Sequence, residues 1–114
     1  MIIYLATPYT HPRADVRDMR FEASNRVAAL VMQQGHSVFS PISHSHPIAK
    51  YLPGDLLTDH EFWMGQDLPL LAVADELWVY PPDAADVSRG VAREVDEAKR
   101  MGKPIKYIWP DEVA

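Results

Sequence analysis

The central stretch of this 114-residue chain runs from Val87 to Pro104 and reads VSRGVAREVDEAKRMGKP. At about 100° per residue, most of its apolar side chains fall on one side of a helix and most charged ones on the other. The apolar side holds Val87, Val91, Val95, Ala98 and Met101. The charged side holds Arg89, Arg93, Asp96, Lys99 and Arg100. Ser88 is a favourable N-cap, and Gly102 followed by Pro104 ends the predicted helix.

Glu94 is the exception in this pattern, because it falls on the apolar side, between Ala98 and Met101. A carboxylate in a buried position costs free energy unless it is paired or used. Two interpretations stay open. Glu94 either lies at the edge of the buried face, reaching solvent or a buried donor, or it is a functional carboxylate. In the second case the helix N-terminus above it, with Ser88 and Gly90, is a candidate anion site.

Composition limits the class of protein. A hydrophobic content of 47% fits a single globular domain over residues 1–114. A net charge of −5 argues against a nucleic acid polymer as partner and leaves room for a small anionic metabolite. The absence of cysteine excludes disulfides and thiol catalysis. No apolar run approaches the ~18 residues of a membrane span and no signal peptide is visible, so we expect a cytoplasmic protein without membrane contact.

Strands and helices alternate along the predicted chain. The predicted strands cover residues 1–6, 36–40, 75–80 and 104–109, and the predicted helices cover residues 13–34, 59–72 and 88–102. This order indicates an α/β domain with a parallel sheet and right-handed crossovers. Ligands bind beyond the carboxyl ends of the strands in such sheets. We therefore expect Tyr4, the loop after it and residues 88–94 to meet at a topological switch point.

The predicted helices carry three local features. The buried face of the first comprises Val16, Ala23, Val27, Leu30 and Val31. Near its beginning, Arg13, Arg17 and Arg20 form either a solvated face or an anion site. Pro69 predicts a kink or a break in the second helix. Before that helix, residues 50–58 are predicted to be irregular.

Two histidines, His44 and His46, follow the second predicted strand. They could bind a metal ion if the segment were extended, but no third ligand is obvious. We favour a polar pocket wall or a hydrogen-bonded loop, and keep a histidine-based metal hydrolase as a minor alternative.

Four motifs resemble the nucleoside 2-deoxyribosyltransferase superfamily and occur in its order over most of the chain. They are IYLATPY at 3–9, DL at 67–68 with Asp75 eight residues later, S-x-GV-x-x-E-x-x-x-A at 88–98, and GKPI at 102–105. The resemblance implies a flavodoxin-like three-layer sandwich with a parallel sheet of four to five strands. It also implies action on the N-glycosidic bond of nucleosides or nucleotides. The loop after Tyr4 lacks the glycine-rich turn of the N-hydrolase branch, and residues 40–53 look closer to an uncharacterised bacterial and phage subgroup.

The resemblance also implies roles for single residues. Glu94 matches the nucleophile, and Tyr4 matches the tyrosine that would orient this carboxylate and keep it ionised. Asp67, which alone reads as a surface residue, matches the acid near the departing base. Ser88 falls where the deoxynucleoside 5′-monophosphate N-hydrolase branch has a phosphate-binding serine. The transferase branch has an acidic residue there, which would repel a phosphate, so this position favours a nucleotide.

The function expected from these matches is cleavage or transfer at an N-glycosidic bond, with neither metal nor organic cofactor. The remaining candidates for substrate binding are Arg89 and Gly90 beside Ser88, Thr7 after the first strand, and Tyr9, His44 and Trp63, any of which could stack on the base. The resemblance further implies a homodimer or larger homo-oligomer. The alternative function is a nucleotide-binding or sensing module of the same fold without turnover.

Overall fold

A computed structural model of the chain describes residues 1–81 and 89–109. Its helices and strands, in order, are β1 (Ile2–Ala6), α1 (Ala14–Gln33), β2 (Ser37–Phe39), α2 (Pro41–Ala49), α3 (Gly54–Leu57), α4 (His60–Val73), β3 (Glu76–Val79), α5 (Arg89–Arg100) and β4 (Ile105–Tyr107). The predicted alternation of strands and helices is confirmed. Val87 and Ser88 lie outside the described residues. Within these two ranges, no helix has the length and apolar character needed to cross a membrane.

The four strands form one parallel sheet in the order β2-β1-β3-β4. The chain first moves from β1 to β2 on one side, and later returns to place β3 on the other side of β1. This reversal makes the carboxyl ends of β1 and β3 a topological switch point. Helices cover both faces of the sheet. The molecule is therefore an α/β, flavodoxin-like three-layer sandwich, with four parallel strands in the part of the chain that the structure describes.

The sheet separates two hydrophobic cores, because successive side chains of a strand point to opposite faces. Ile3 and Leu5 of β1 face α1, where they join Val27 and Val31. Tyr4 and Ala6 of β1 face α4 and α5, and that core comprises Tyr4, Ala6, Leu71, Ala74, Leu77, Val79, Val91, Val95 and Ala98. Both faces of β1 are thus buried, as its continuous apolar run predicts.

The buried face of α1 differs from the prediction. Its buried residues are Arg20, Ala23, Ser24, Val27, Ala28 and Val31. Leu30 is 39% exposed because it lies about 100° from Val31 on the helical wheel, outside this arc. Arg20 belongs to the buried arc, and its guanidinium donates to the carbonyl of Thr10 at 3.1 Å. Arg20 is therefore not part of a solvated face.

Residues 41–49 form a helix, so the predicted loop around His44 and His46 is wrong. Ser40 caps α2 by accepting a hydrogen bond from the backbone N–H of Ser43 at 3.2 Å, and Pro41 occupies the first turn. A serine N-cap followed by proline is a favourable helix start. The following segment also contains one helical turn, α3, where an irregular chain was predicted.

Helix α4 begins after Asp59, which accepts a hydrogen bond from the N–H of Phe62 at 3.1 Å. It continues past Pro69 to Val73, so the predicted break does not occur. The proline removes one backbone donor. Burial of Met64, Asp67 and Leu71 along one side of α4 holds both halves of the helix against the rest of the protein.

Two adjacent leucines of α4 test this placement of the helix. Leu71 is fully buried whereas Leu70 is 40% exposed. We expect Leu71→Ala to lower the free energy of unfolding by about 2–5 kcal/mol, because it leaves a cavity in the core. Leu70→Ala should cost about 1 kcal/mol or less. Urea denaturation of both variants measures the difference, and equal losses would contradict the observed rotation of α4 beyond Pro69.

Candidate functional site

A cleft of about 250 Å³ opens at the carboxyl end of β1. The loop after β1, helices α2 and α4, and the first turns of α5 surround it. Two carboxyl groups, those of Glu94 and Asp67, lie in its wall, together with Tyr9, Trp63 and Arg89. The cleft therefore lies at the switch point of the sheet, where α/β folds bind ligands.

Glu94 points inward from α5 and is 5% exposed. The hydroxyl of Tyr4, a fully buried residue of β1, donates a hydrogen bond to Oε2 of Glu94. Glu94 thus does not reach solvent: it is bonded to a buried donor and also lines the cleft. This position agrees with the helical pattern, which set Glu94 on the apolar side of the helix with Val91 and Ala98.

Burial controls the protonation of the two carboxyl groups. It raises the pKa of Glu94 to about 8; the hydrogen bond from Tyr4 lowers this pKa and the charge of Asp67 raises it. Burial also raises the pKa of Asp67, to about 6. The Tyr4 hydrogen bond therefore acts in the expected direction, but desolvation outweighs it. At neutral pH in the free protein, Glu94 holds a proton more tightly than Asp67 does.

Asp67 is 7% exposed, so its sequence reading as a surface residue is wrong. Met64, Asp67 and Leu71 recur at intervals of three and four residues and share the inward side of α4. The apolar residues of α4 are scattered around the helix, so no apolar periodicity in the sequence indicates which side is buried. Asp67 reaches the same cleft as Glu94 from the opposite helix.

The loop after β1 is anchored to α1 by a chain of hydroxyl groups. Ser24 donates its one hydroxyl hydrogen to the carbonyl of Arg20 at 2.8 Å. The contact of 2.8 Å between the hydroxyls of Thr7 and Ser24 must then be donated by Thr7. Thr7 lines the cleft, but its hydrogen is used within the protein. It can offer a ligand only the acceptor capacity of its oxygen.

The other predicted binding residues fall into three groups. Thr7, Tyr9, Trp63, Arg89 and Gly90 line the cleft. His44 is exposed and does not line it; its ring lies 5.7 Å from that of Phe39. Ser88, the expected phosphate ligand, lies outside the described residues.

His46 lines the cleft, as the expectation of a polar pocket wall allows, although only His44 was expected to contact the base. On a helix, residues two apart point about 200° from each other, so only one of the two histidines faces the cleft. The sequence Ser40-Pro41, a favourable helix start, could have indicated that His44 and His46 lie on a helix. The ring of His44 lies near Phe39 and that of His46 contacts Tyr9, so the two imidazoles do not share a metal site. Among the described residues, no group of three or more histidine, aspartate or glutamate side chains is arranged to hold a metal.

The raised pKa of Glu94 predicts a specific effect of pH on stability. Between its ordinary value near 4.5 and about 8, the folded state binds more protons than the unfolded state, so stability falls as pH rises. Glu94→Gln removes this loss. From pH 5 to pH 9, we expect the stability of the variant relative to the unaltered protein to rise by at least about 1.4 kcal/mol, the equivalent of one pKa unit. Chemical denaturation across this range measures it.

The matched control is Glu97→Gln on the same helix. Hydrogen bonding to Arg100 lowers the pKa of Glu97, the opposite direction, so this variant should show no such gain. Parallel stability curves for Glu94→Gln and the unaltered protein would mean that Glu94 is not desolvated.

Comparison with known proteins places the chain in a family. No curated protein matches it. A family model described as a domain of unknown function, DUF1937, matches residues 1–109, which is nearly the whole chain. The chain belongs to the DUF1937 family.

Proposed function

We propose that this protein cleaves or transfers the N-glycosidic bond of deoxynucleosides or their 5′-monophosphates. The observation that carries the proposal is Glu94, buried, held by Tyr4 and lining a cleft that also contains Asp67. Two carboxyl groups around one substrate cleft are the minimal apparatus of glycosyl hydrolysis, where one acts as nucleophile and the other as acid. The resemblance of residues 88–98 to the catalytic helix of the nucleoside 2-deoxyribosyltransferase superfamily assigns the nucleophile to Glu94.

The proposed reaction has two halves. In the first, a carboxylate oxygen of Glu94 attacks the anomeric carbon, the bond from that carbon to the base nitrogen breaks, and Asp67 gives the base a proton. In the second, water or another base attacks the anomeric carbon and gives up one proton to a basic group of the cleft wall. The bond to Glu94 breaks, which returns its electron pair to the carboxylate. The two inversions leave the configuration at the anomeric carbon unchanged. Tyr4 orients Glu94 throughout.

In the free protein the proton lies on the wrong carboxyl group for this reaction, because the nucleophile must be ionised and the acid protonated. Substrate binding has to reverse this arrangement. With the pKa of Glu94 raised to about 8 and that of Asp67 raised to about 6, a single shared proton resides mainly on Glu94, the nucleophile, and not on Asp67, the acid. Positive charge that develops at the anomeric carbon beside Glu94 favours its ionised form. Binding energy from the rest of the substrate offsets the cost of moving the proton.

The beginning of α5 supports a phosphorylated substrate. Arg89 and Gly90 line the cleft at the positive end of the helix dipole, a favourable place for an anion. Ser88, which carries the argument for a phosphate in the sequence, directly precedes Arg89. The rings of Trp63 and Tyr9 lie in the wall and are candidates for contact with the base.

The alternative function is a nucleotide-binding module without turnover, and one observation favours it. A carboxyl group that is protonated at neutral pH is a poor nucleophile and a good hydrogen-bond donor. Glu94 would then donate to a bound ligand. Binding of deoxynucleotides without release of base from any of them would support this alternative and overturn the proposed reaction.

Removal of either carboxyl group should abolish most activity. We expect Glu94→Gln to lower the rate of base release from deoxynucleoside 5′-monophosphates by at least about 10³-fold, because the nucleophile is lost. Asp67→Asn should cost about 10²–10⁴-fold, the usual contribution of an acid. Chromatographic assay of free base over a panel of substrates measures both. Substrates whose base leaves easily, such as those of N7-methylated purines, need less help from an acid. Their rate of base release should fall less with Asp67→Asn, and as much as that of other substrates with Glu94→Gln.

The control for these variants is Asp96→Asn, which changes an exposed carboxylate of α5 without touching the cleft. Its activity should remain unchanged. Base release at an unchanged rate in Glu94→Gln would contradict the assignment of Glu94 as nucleophile.

Arg89 tests the preference for a phosphate. We expect Arg89→Gln to raise KM for a deoxynucleoside 5′-monophosphate about tenfold, at the low end for a hydrogen bond to a charged group, because Arg89 is exposed. KM for the corresponding nucleoside should not change. Arg93→Gln is the control, since Arg93 lies on the same helix and pairs with Glu61 at 3.0 Å. Equal effects on both substrates would exclude a phosphate beside Arg89.

A further inference from the structure

Tyr9, His46 and Asp18 are brought together from three different elements. The hydroxyl of Tyr9, in the loop after β1, lies 2.5 Å from Nδ1 of His46 on α2. Nε2 of His46 lies 3.3 Å from a carboxylate oxygen of Asp18 on α1. The imidazole stacks on Phe21 with ring centroids 4.3 Å apart. The imidazole is thus positioned by two polar contacts and one ring face.

The position of the Asp18 carboxyl group favours one tautomer of His46. Asp18 is 68% exposed, and its carboxyl group lies on the Nε2 side of the imidazole. Because a carboxylate has no hydrogen to donate, its place 3.3 Å from Nε2 favours the tautomer of His46 with the hydrogen on Nε2 and the lone pair on Nδ1. The hydroxyl of Tyr9 then donates to Nδ1. The hydrogen bond thus leads from Tyr9 to His46, and the carboxyl group of Asp18 lies beside the far nitrogen of the ring.

This series leads from the cleft towards the surface. Tyr9 and His46 line the cleft that contains Glu94 and Asp67. The same two residues also line an outer groove that contains Asp18, Arg17 and Lys50. The Tyr9–His46 pair therefore lies in the wall between the two spaces, and Asp18 lies on its outer side.

We propose that Tyr9, His46 and Asp18 form a proton relay and that Tyr9 is the base of the second half of the reaction. The inference rests on the proposed function. As the oxygen of the attacking water bonds to the anomeric carbon, one of its protons passes to the oxygen of Tyr9. The proton of Tyr9 passes at the same time to Nδ1 of His46, and the bond from Glu94 to the sugar breaks. The resulting imidazolium faces the carboxylate of Asp18.

The relay explains how a phenol can serve as a base at this position. Burial raises the pKa of Tyr9, and the charge of Asp18 raises it further, while the charge and hydrogen bond of Arg17 lower it. A phenol with a raised pKa does not ionise alone at neutral pH. Transfer of its proton to His46 during the reaction avoids a free phenolate, and the arrangement resembles in logic a base oriented by a third group. Asp67 then acts only in the first half, as the acid for the departing base, and is not needed as the base of the second half.

The first test needs no substrate. Nitrogen-15 NMR of the whole protein at pH 8 should find His46 with its hydrogen on Nε2. Asp18→Asn should increase the fraction with hydrogen on Nδ1, because an amide can donate to Nε2. Asp15→Asn, an exposed carboxylate one turn earlier on α1 that pairs with Arg13, should leave the tautomer unchanged. A hydrogen on Nδ1 in the unaltered protein would overturn the relay.

The second test separates the two halves of the reaction. In rapid-quench assays with a deoxynucleoside 5′-monophosphate, we expect Tyr9→Phe and His46→Gln to keep the first, stoichiometric release of base. Their steady-state rate should fall by at least about 10²-fold, the low end for loss of a general base. Equal slowing of both phases, or no slowing, would overturn the relay. Absence of base release from the unaltered protein would overturn the proposed function and with it the catalytic task of Tyr9, whereas the tautomer result stands independently.

Discussion

The hydrogen bond between Tyr4 and Glu94 is the interaction on which the rest of the site depends. It joins the central strand β1 to the last helix, across 90 positions of the sequence. Each group alone would be a buried polar atom without a partner, which costs roughly 1–3 kcal/mol or more. The bond forms only when α5 turns the side carrying Val91, Glu94 and Ala98 towards the sheet. The same contact therefore fixes the rotation of the helix and the direction of the carboxyl group.

The topology of the sheet turns this contact into a cleft. The chain leaves β1 towards β2, whereas β3 lies on the other side of β1, so the carboxyl ends of β1 and β3 form a topological switch point. The hydroxyl chain from Thr7 to Ser24 holds the loop after β1 against α1. Asp67 enters from α4, on the opposite wall. The result is a cleft with two carboxyl groups in its wall. Burial is the main cause of the raised pKa of each group.

Much of the fold follows from patterns in the sequence, because apolar periodicity reports directly on which side of an element is buried. The continuous apolar run of β1 and the single acidic exception on α5 both have this origin. Periodicity is less informative where polar residues are buried or apolar ones are scattered. Arg20 and Asp67 are buried although their types favour the surface, and Leu30 is exposed although it is apolar. Pro69 does not end α4, because tertiary burial of the helix outweighs a lost backbone hydrogen bond.

The candidate site was predictable where one helix determines it and unpredictable where several elements meet. The inward position of Glu94 depends on α5 alone. The contact of Tyr9 with His46 depends on the helical conformation of residues 41–49, since an extended segment or a loop would orient its two histidines differently. The partnership of His46 with Asp18 requires in addition that α1 and α2 lie side by side. Such relations among three elements have no counterpart in the spacing of residues along the chain.

The most direct test of Glu94 as nucleophile is mass spectrometry of the protein quenched during turnover of a deoxynucleoside 5′-monophosphate. We expect a peptide containing Glu94 to gain the mass of the phosphorylated deoxyribosyl group, and Glu94→Gln to abolish the gain. Release of base without any modified peptide, or with the sugar attached to Asp67, would contradict it.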